Sequence, residues 1–197
     1  MKCTFITLIT FLSFASVAQK NTADKIDIDL KQSKLEWTGK KLGGEHYGEL
    51  QLSSGHLTFE KKKLTGGSFE MNMASITCVD ITDQKSNKRL VDHLKSEDFF
   101  SVARFPTSTF VIIKAEAKSG TEYQITGNLT IKGKTNPVTF TAKMNTVNNQ
   151  TIAEATLAFD RSKYDVKFGS QSFFENLGDK LVYDDIDMNV RLILNSK

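Results

Sequence analysis

The sequence has few of the residues that hold unusual proteins together, with only two cysteines and two prolines among 197 residues. Two cysteines cannot build a disulfide scaffold or a four-cysteine zinc site. Two prolines and twelve glycines exclude a collagen-like protein or a proline-rich linker. The formal charge is only +3 and no basic block occurs, which argues against a nucleic-acid-binding protein. The remaining composition, 39% hydrophobic and 25% charged, is typical of a globular domain.

A long hydrophobic run is also missing, although the first residues are mainly apolar. Lys2 precedes an apolar stretch of about 13 residues, too short to cross a hydrocarbon core of about 30 Å. Ser16 and Ala18 put small residues where signal peptidase cleaves. We therefore predict that residues 1–18 are a cleaved secretory signal peptide and that residues 19–197 are a single exported domain.

Local signatures of catalysis and metal binding are scarce. Removal of residues 1–18 leaves Cys78 without a disulfide partner, either as a buried inert side chain or as a catalytic thiol. His46, His56 and His93 are too far apart in sequence to form a local metal motif. The G-x-S-x-G and H-E-x-x-H motifs do not occur. We expect no enzyme activity, no cofactor and no metal site.

Apolar and polar residues alternate with a period of two through most of the chain after residue 25. The longest run has Ile186, Met188, Val190, Leu192 and Leu194 on its apolar side. This pattern predicts about eight antiparallel strands, each with one apolar face. Turns are expected at residues 53–55, 66–67, 119–120, 133–137 and 148–149, and in the lysine run 61–63.

Helical periodicity is confined to two short segments. The first is predicted over residues 83–94, with Thr82 or Asp83 as the N-cap. The second is predicted over residues 172–177 and would end at Gly178. The helices are therefore accessories to an all-β domain.

Strands with a single apolar face must bury that face in a sandwich or in a closed barrel. A barrel of about eight strands encloses either packed side chains or one small ligand. Phenylalanine and methionine are frequent at the inward positions, and both fill cores as well as line cavities. Periodicity alone leaves a packed core and a ligand cavity as alternatives.

Four motifs make the pattern more specific. Residues 94–102 have the sequence LKSEDFFSV and are followed by FPTSTF at residues 105–110. Residues 127–138 have the sequence GNLTIKGKTNPV, residues 67–76 have GSFEMNMASI, and Arg161 precedes Ser162. In their order along the chain, the motifs resemble those of the YceI-like family, which are exported, polyisoprenoid-binding bacterial proteins.

The resemblance implies a lipocalin-like antiparallel β-barrel of about eight strands with one or two accessory helices. It implies a periplasmic or secreted carrier that holds a polyisoprenoid, a quinone or a fatty-acid derivative without chemistry. We expect no nucleic-acid partner and no stable membrane span, and the oligomeric state, including a homodimer, stays open. Strand parity then assigns the following ligand-binding residues to the barrel interior: Trp37, Phe59, Phe69, Met71, Met73, Phe99, Phe100, Phe110, Ile112, Leu129, Ile131, Phe140, Leu157, Phe159 and Met188.

Two other classes of function remain as alternatives. A structural or stress-response envelope protein would have a barrel filled by its own side chains. A lipid-modifying enzyme would need His46 or His56 close to Cys78 or to an aspartate inside the barrel. The segment 164–179, which contains Phe173 and Phe174, is either a lid over the barrel or a packed loop.

Overall fold

The computed structural model describes residues 23–148 and 150–195, so the predicted signal peptide lies outside the described residues. The helix α1 (Gln84–Lys95) lies between the fourth and fifth strands. Short 3₁₀ turns cover Met73–Ser75, Arg161–Tyr164 and Gly178–Lys180. The strands are β1 (Asp24–Asp27), β2 (Lys34–Lys41), β3 (Gly44–Glu60), β4 (Lys63–Asn72), β5 (Thr107–Ala117), β6 (Glu122–Ile131), β7 (Lys134–Val147), β8 (Gln150–Asp160) and β9 (Val182–Ile193).

The strands form one antiparallel sheet that closes on itself. Each strand from β3 to β8 pairs with the next strand in the chain, and β9 pairs with β2. The long strand β3 completes the ring, because its first half pairs with β2 and its second half with β4. β1 pairs with the second half of β3 on the other side. The predicted antiparallel barrel is confirmed, with eight strands in the closed ring.

The alternation seen in the sequence becomes an inner and an outer face. Along β6, Ile125, Leu129 and Ile131 are buried. The intervening threonines lie outside, where Thr126 and Thr130 form hydrogen bonds with threonines of β7 at 3.1 and 2.8 Å. The outer face is therefore polar and carries cross-strand hydroxyl pairs, while the inner face is apolar.

Two of the predicted turns are wrong, because residues 53–55 and 66–67 lie within β3 and β4. The glycines there permit close packing instead of chain reversal. A Cβ on Gly55 would lie 2.9 Å from the Phe69 ring, and one on Gly67 would lie 2.9 Å from the His56 carbonyl oxygen. The chain reverses at Lys61 and Lys62, both with positive φ, as the lysine run predicted.

Three other predicted turns agree with the strand boundaries more closely. The chain turns between β5 and β6 at residues 118–121 and between β7 and β8 next to Asn148. Between β6 and β7 the turn is shorter than expected. Lys132 and Gly133 alone form it, with φ values of 50° and 72°, and residues 134–137 already belong to β7.

The first predicted helix is confirmed as α1, whose N-cap Asp83 accepts a hydrogen bond from the Ser86 backbone at 2.8 Å. The second predicted helix is wrong, because residues 172–177 form a turn followed by irregular backbone. The Ser172 hydroxyl donates to Asp184 at 2.7 Å, and the Ser172 backbone donates to the Ser170 hydroxyl. These local side-chain hydrogen bonds compete with a helix.

Residues 76–80, here called the strap, continue beyond β4 along the first half of β3. The Thr77 and Val79 backbones donate to the Glu49 and Tyr47 carbonyl oxygens at 3.0 and 2.9 Å. The Thr77 carbonyl also accepts a hydrogen bond from the Trp37 indole at 3.0 Å. Trp37 of β2 pairs with Gly48 of β3. Because Gly48 has no side chain, the strap can approach the barrel wall closely at this position.

Arg161 anchors the segment that returns from β8 to β9. Its side chain is fully buried. Its Nη2 lies 3.3 Å from the carboxylate of Asp184. The guanidinium donates hydrogen bonds to the carbonyl oxygens of Val166, Val182 and Tyr183 at 3.0–3.2 Å. A buried guanidinium needs this number of acceptors to offset the loss of hydration. Residues 164–170 are consequently held against the barrel, with Val166 and Ser170 fully buried.

We predict that Gly48→Ala destabilises the protein by about 1–3 kcal/mol or more. A Cβ at this position would overlap the Thr77 carbonyl oxygen, so the strap would have to move away from β3. Urea unfolding measures the change. Gly44→Ala on the same strand is the control, since its Cβ would have no neighbour closer than 4.0 Å. Equal effects of the two substitutions would contradict this account of Gly48.

We also predict that Arg161→Met lowers the free energy of unfolding by about 3 kcal/mol or more, because Asp184 loses its cationic partner and three carbonyl groups lose their donor. Lys163→Met is the control. The Lys163 ammonium is exposed and lies 3.9 Å from Asp160, so its loss should change stability by less than about 0.5 kcal/mol. Denaturant unfolding of both variants compares the two effects. A loss for Arg161→Met no larger than that of the control would refute the anchoring role.

Candidate functional site

The barrel encloses a cavity of about 370 Å³. Apolar side chains from all eight strands of the ring form its wall, together with residues of α1 and of the segments 96–100 and 165–181. A cavity of this size is typical of small-molecule sites, which are mostly apolar and enclosed. The barrel interior is therefore a cavity as well as a core.

Fourteen of the fifteen residues assigned to the interior by strand parity line this cavity. Phe59 does not: it is half-buried near the end of β3, next to a shift in the β3–β4 register, and packs against the core. The others are Trp37, Phe69, Met71, Met73, Phe99, Phe100, Phe110, Ile112, Leu129, Ile131, Phe140, Leu157, Phe159 and Met188. These fourteen residues are therefore placed where they could contact a ligand in the cavity. That they do so stays a prediction.

The ligand-binding set predicted from the sequence omits several other residues of the wall. Leu50 and Leu52 were not assigned, since β3 changes its inward parity at a bulge next to Ser53 and the period is interrupted there. The strand alternation puts most of the remaining wall residues on apolar faces, although they were not assigned to the ligand-binding set. These are Leu35, Leu57, Leu64, Tyr123, Ile125, Val138, Ala142, Met144, Ala153, Ala155, Ile186, Val190 and Leu192.

One end of the cavity is covered by α1 and the segment after β8. His93 of α1 packs edge-on against Phe99 and Phe168, with ring centroids 5.6 and 4.3 Å away. Phe168 lines the cavity but is also 42% exposed, so it lies at the boundary between the interior and water. Phe173 and Phe174 are exposed as well and do not line the cavity.

Few polar side chains reach the cavity. Lys40 and Lys41 lie at the covered end, where Lys41 pairs with Val182 of β9. Lys40 is already engaged, since its Nζ lies 2.6 Å from the Asp187 carboxylate. Ser108 is buried and donates to the Met73 sulfur at 3.1 Å. The wall therefore offers contact area to a ligand with few directional polar contacts.

His46, Cys78 and Asp80 come together where the strap meets the start of β3. The Asp80 carboxylate lies between the other two, 2.8 Å from Nδ1 of His46 and 3.2 Å from the Cys78 sulfur. His46 also lines the cavity. Sequence analysis missed this cluster because the residues come from segments far apart in the chain, with no spacing motif.

The environment of this cluster changes the acidity of two groups. Burial, reinforced by the hydrogen bond to Asp80, raises the pKa of the Cys78 thiol. Burial would also raise the pKa of Asp80, but hydrogen bonds from His46, the Tyr47 backbone and Cys78 lower it to about 2. The thiol therefore stays protonated and the carboxylate stays charged near neutral pH. This arrangement disfavours a thiolate nucleophile, which needs a lowered pKa.

The pKa of Asp80 predicts how Asp80→Asn changes stability with pH. The folded-state pKa of about 2 lies below the ordinary value of 3.8, so the charged carboxylate stabilises the fold above pH 4. That contribution disappears as the pH falls from about 4 to 2. We expect the stability difference between the wild type and the variant, measured by urea unfolding, to shrink over this range. A constant difference from pH 6 to pH 2 would contradict the prediction.

No helix among residues 23–148 and 150–195 has the length and apolarity needed to cross a membrane. The YceI-like domain matches residues 27–194. A UPF0312 protein of Pseudomonas aeruginosa is 32% identical over 146 residues, which cover 73% of each chain. A UPF0312 protein of Pectobacterium carotovorum is 30% identical over the same length and coverage.

Two solved structures share the barrel. BcnA of Burkholderia cenocepacia has a TM-score of 0.71 at 24% identity, covering 86% of this chain and all of that one. A polyisoprenoid-binding domain of Saccharophagus degradans has a TM-score of 0.64 at 8% identity, covering 87% of this chain and 98% of that one. At these identities the likeness demonstrates the fold. The domain match over residues 27–194, which covers most of the sequence, shows that this chain belongs to the YceI-like family.

Proposed function

We propose that this protein binds a long-chain apolar lipid in its barrel cavity and carries it through an aqueous compartment outside the cytoplasm, without chemistry. The observation that carries the proposal is the enclosed apolar cavity of about 370 Å³. The ligand class is a polyisoprenoid, a quinone or a fatty-acid derivative. The polyisoprenoid-binding domain of Saccharophagus degradans, which has the same barrel, supports this class.

The free energy of burial is sufficient for such a ligand. Each methylene moved from water into the cavity contributes roughly 0.8 kcal/mol, so about ten carbons contribute ~8 kcal/mol. Association costs reduce this figure, and a micromolar complex therefore needs several more carbons. A long chain meets the requirement without strong polar contacts. The same reasoning predicts weak discrimination among apolar chains.

The cavity favours a carrier over a structural protein with a filled barrel. A filled barrel would bring its inward side chains into mutual contact and leave no space of ligand size. Small inward residues, such as Ala142 and Ala155 on adjacent strands, help to keep the interior open. Substitution of such an alanine by a larger residue would fill part of the interior.

The enzyme hypothesis has one observation in its favour, since His46 lies beside Cys78 and Asp80 and is not fully solvent-exposed. However, Asp80 separates the imidazole from the thiol, so His46 is not hydrogen-bonded to a nucleophile. The raised pKa of Cys78 is also opposite to what nucleophilic catalysis requires. Both points favour binding without catalysis.

The first test is native mass spectrometry of the chain purified without detergent, followed by organic extraction and lipid analysis. We expect close to one isoprenoid or acyl chain per protein and a mass that lacks residues 1–18. A protein free of lipid that also rejects added prenyl lipids would refute the carrier proposal. A mass that retains residues 1–18 would refute export with cleavage.

Ala155→Phe tests whether the cavity is the binding site. Ala155 lines the cavity, so a phenyl ring there displaces part of the ligand. Loss of about three buried methylenes weakens binding by roughly 50-fold. Ala158→Phe on the outer face of the same strand is the matched control and should bind like the wild type. Prenyl-lipid titration followed by Trp37 fluorescence measures both. Equal affinities of the two variants would place the ligand elsewhere.

A further inference from the structure

We propose that His46, Cys78 and Asp80 form a binding site for a divalent transition-metal ion of the zinc type at the edge of the barrel cavity. The three side chains offer an imidazole nitrogen, a sulfur and a carboxylate oxygen. These donor atoms all lie within 4.8 Å of one another. Neither the lipid-binding proposal nor the arrangement of the barrel strands requires these three residue types to meet.

The spacing of the donor atoms fits a tetrahedral ion after small adjustments. Bonds of about 2.0–2.3 Å to zinc separate neighbouring ligand atoms by roughly 3.3–3.5 Å. The Nδ1 atom of His46 and the nearest carboxylate oxygen of Asp80 are 2.8 Å apart, and the Cys78 sulfur lies 3.2 Å from the other carboxylate oxygen. Side-chain shifts on the order of 1 Å would bring all three donors to an ion.

The backbone around the cluster holds the donors in place. The Tyr47 backbone donates to Oδ1 of Asp80 at 2.9 Å, which orients Oδ2 toward His46. The Val79 backbone donates to the Tyr47 carbonyl, so the strap and β3 are fixed to each other between the donors. The amide of Asn87, from α1, donates to the carbonyl of Cys78 at 2.8 Å. Hydrogen bonds of this kind around the ligands are what orient a metal site.

The donor set selects the class of ion. A sulfur and an imidazole favour zinc and neighbouring transition ions over calcium and magnesium, which prefer six or more oxygens. On binding, the Cys78 thiol releases its proton to solvent, and the His46 proton moves from Nδ1 to Nε2. Three protein donors leave one coordination position for water or for an oxygen of another molecule. Because His46 also lines the cavity, the ion would lie beside the interior.

The site is partly accessible to an ion from solution. The side chains of His46 and Asp80 are 28% and 16% exposed, whereas Cys78 is buried. An ion would therefore arrive on the side of the imidazole and the carboxylate and reach the sulfur last. The thiol should become unreactive once the ion is bound.

The test is a titration of the chelator-treated, reduced protein with Co²⁺, followed by competition with Zn²⁺. We expect one Co²⁺ per chain with the near-ultraviolet absorption of a thiolate–cobalt bond, and loss of this absorption on addition of Zn²⁺. Cys78→Ser should abolish the absorption, and His46→Gln should weaken binding by at least about tenfold. His56→Gln, a second histidine of β3, is the matched control and should behave as the wild type.

A second measurement needs no variant and stays informative if a substitution prevents folding. Alkylation of Cys78, followed by peptide mass mapping, should be slowed by stoichiometric Zn²⁺ and unaffected by Mg²⁺. Absence of the thiolate–cobalt absorption, or alkylation that proceeds equally with and without Zn²⁺, would overturn the proposal. Absorption that persists unchanged in Cys78→Ser or His46→Gln would overturn it too. None of these readouts depends on a bound lipid.

Discussion

The single apolar face of each strand is the constraint on which the rest of the structure depends. A sheet with one such face must bury it away from water, and in this chain the sheet closes on itself through β3 and buries the apolar face inside. Closure removes the exposed edges that an open sheet would carry, and it directs phenylalanine, methionine and leucine toward a common interior. Because small residues such as Ala142 and Ala155 alternate with large ones on the inner face, the interior is not completely filled. The cavity is thus a consequence of closure together with the sizes of the inward side chains.

Much of this fold was predictable from sequence, since a period of two leaves little doubt about strands. The N-cap Asp83 and the apolar stripe of α1 were likewise local signals and were correct. The errors have a common physical cause. Gly55 and Gly67 suggested turns, but the absence of a side chain at these positions instead allows close packing against side chains and backbone of the neighbouring strand. The predicted helix at residues 172–177 failed because Asp184, distant in sequence, captures the serine hydroxyls. A local pattern cannot reveal a distant partner.

The candidate site likewise has one part that local sequence patterns predict and another part that they do not. The cavity wall follows strand parity, so Trp37 and Met188 could be assigned to the interior without coordinates. Strand parity gave a wrong assignment at the end of β3, where shifts in register leave Phe59 outside the cavity wall. His46 lies close to Cys78 because the strap runs along β3. No motif in the sequence predicts this contact. The family resemblance implied a barrel and a class of ligand, but it carried no information about these polar residues.

The pairing of β2 with β9 has a consequence for how the barrel forms. Hairpins between successive strands close short loops, whereas this seam joins the two ends of the domain, with Lys34 opposite Arg191. Contacts of large sequence separation carry the greatest loop-closure entropy and form late. Until the seam closes, the inner face is open along its whole length. If the protein binds lipid as proposed, an apolar chain present at that stage would be enclosed as the barrel closes and would not have to thread into a finished barrel. Occupancy of the cavity would then depend on whether lipid is present while the protein folds, and not only on the lipid concentration around the folded protein.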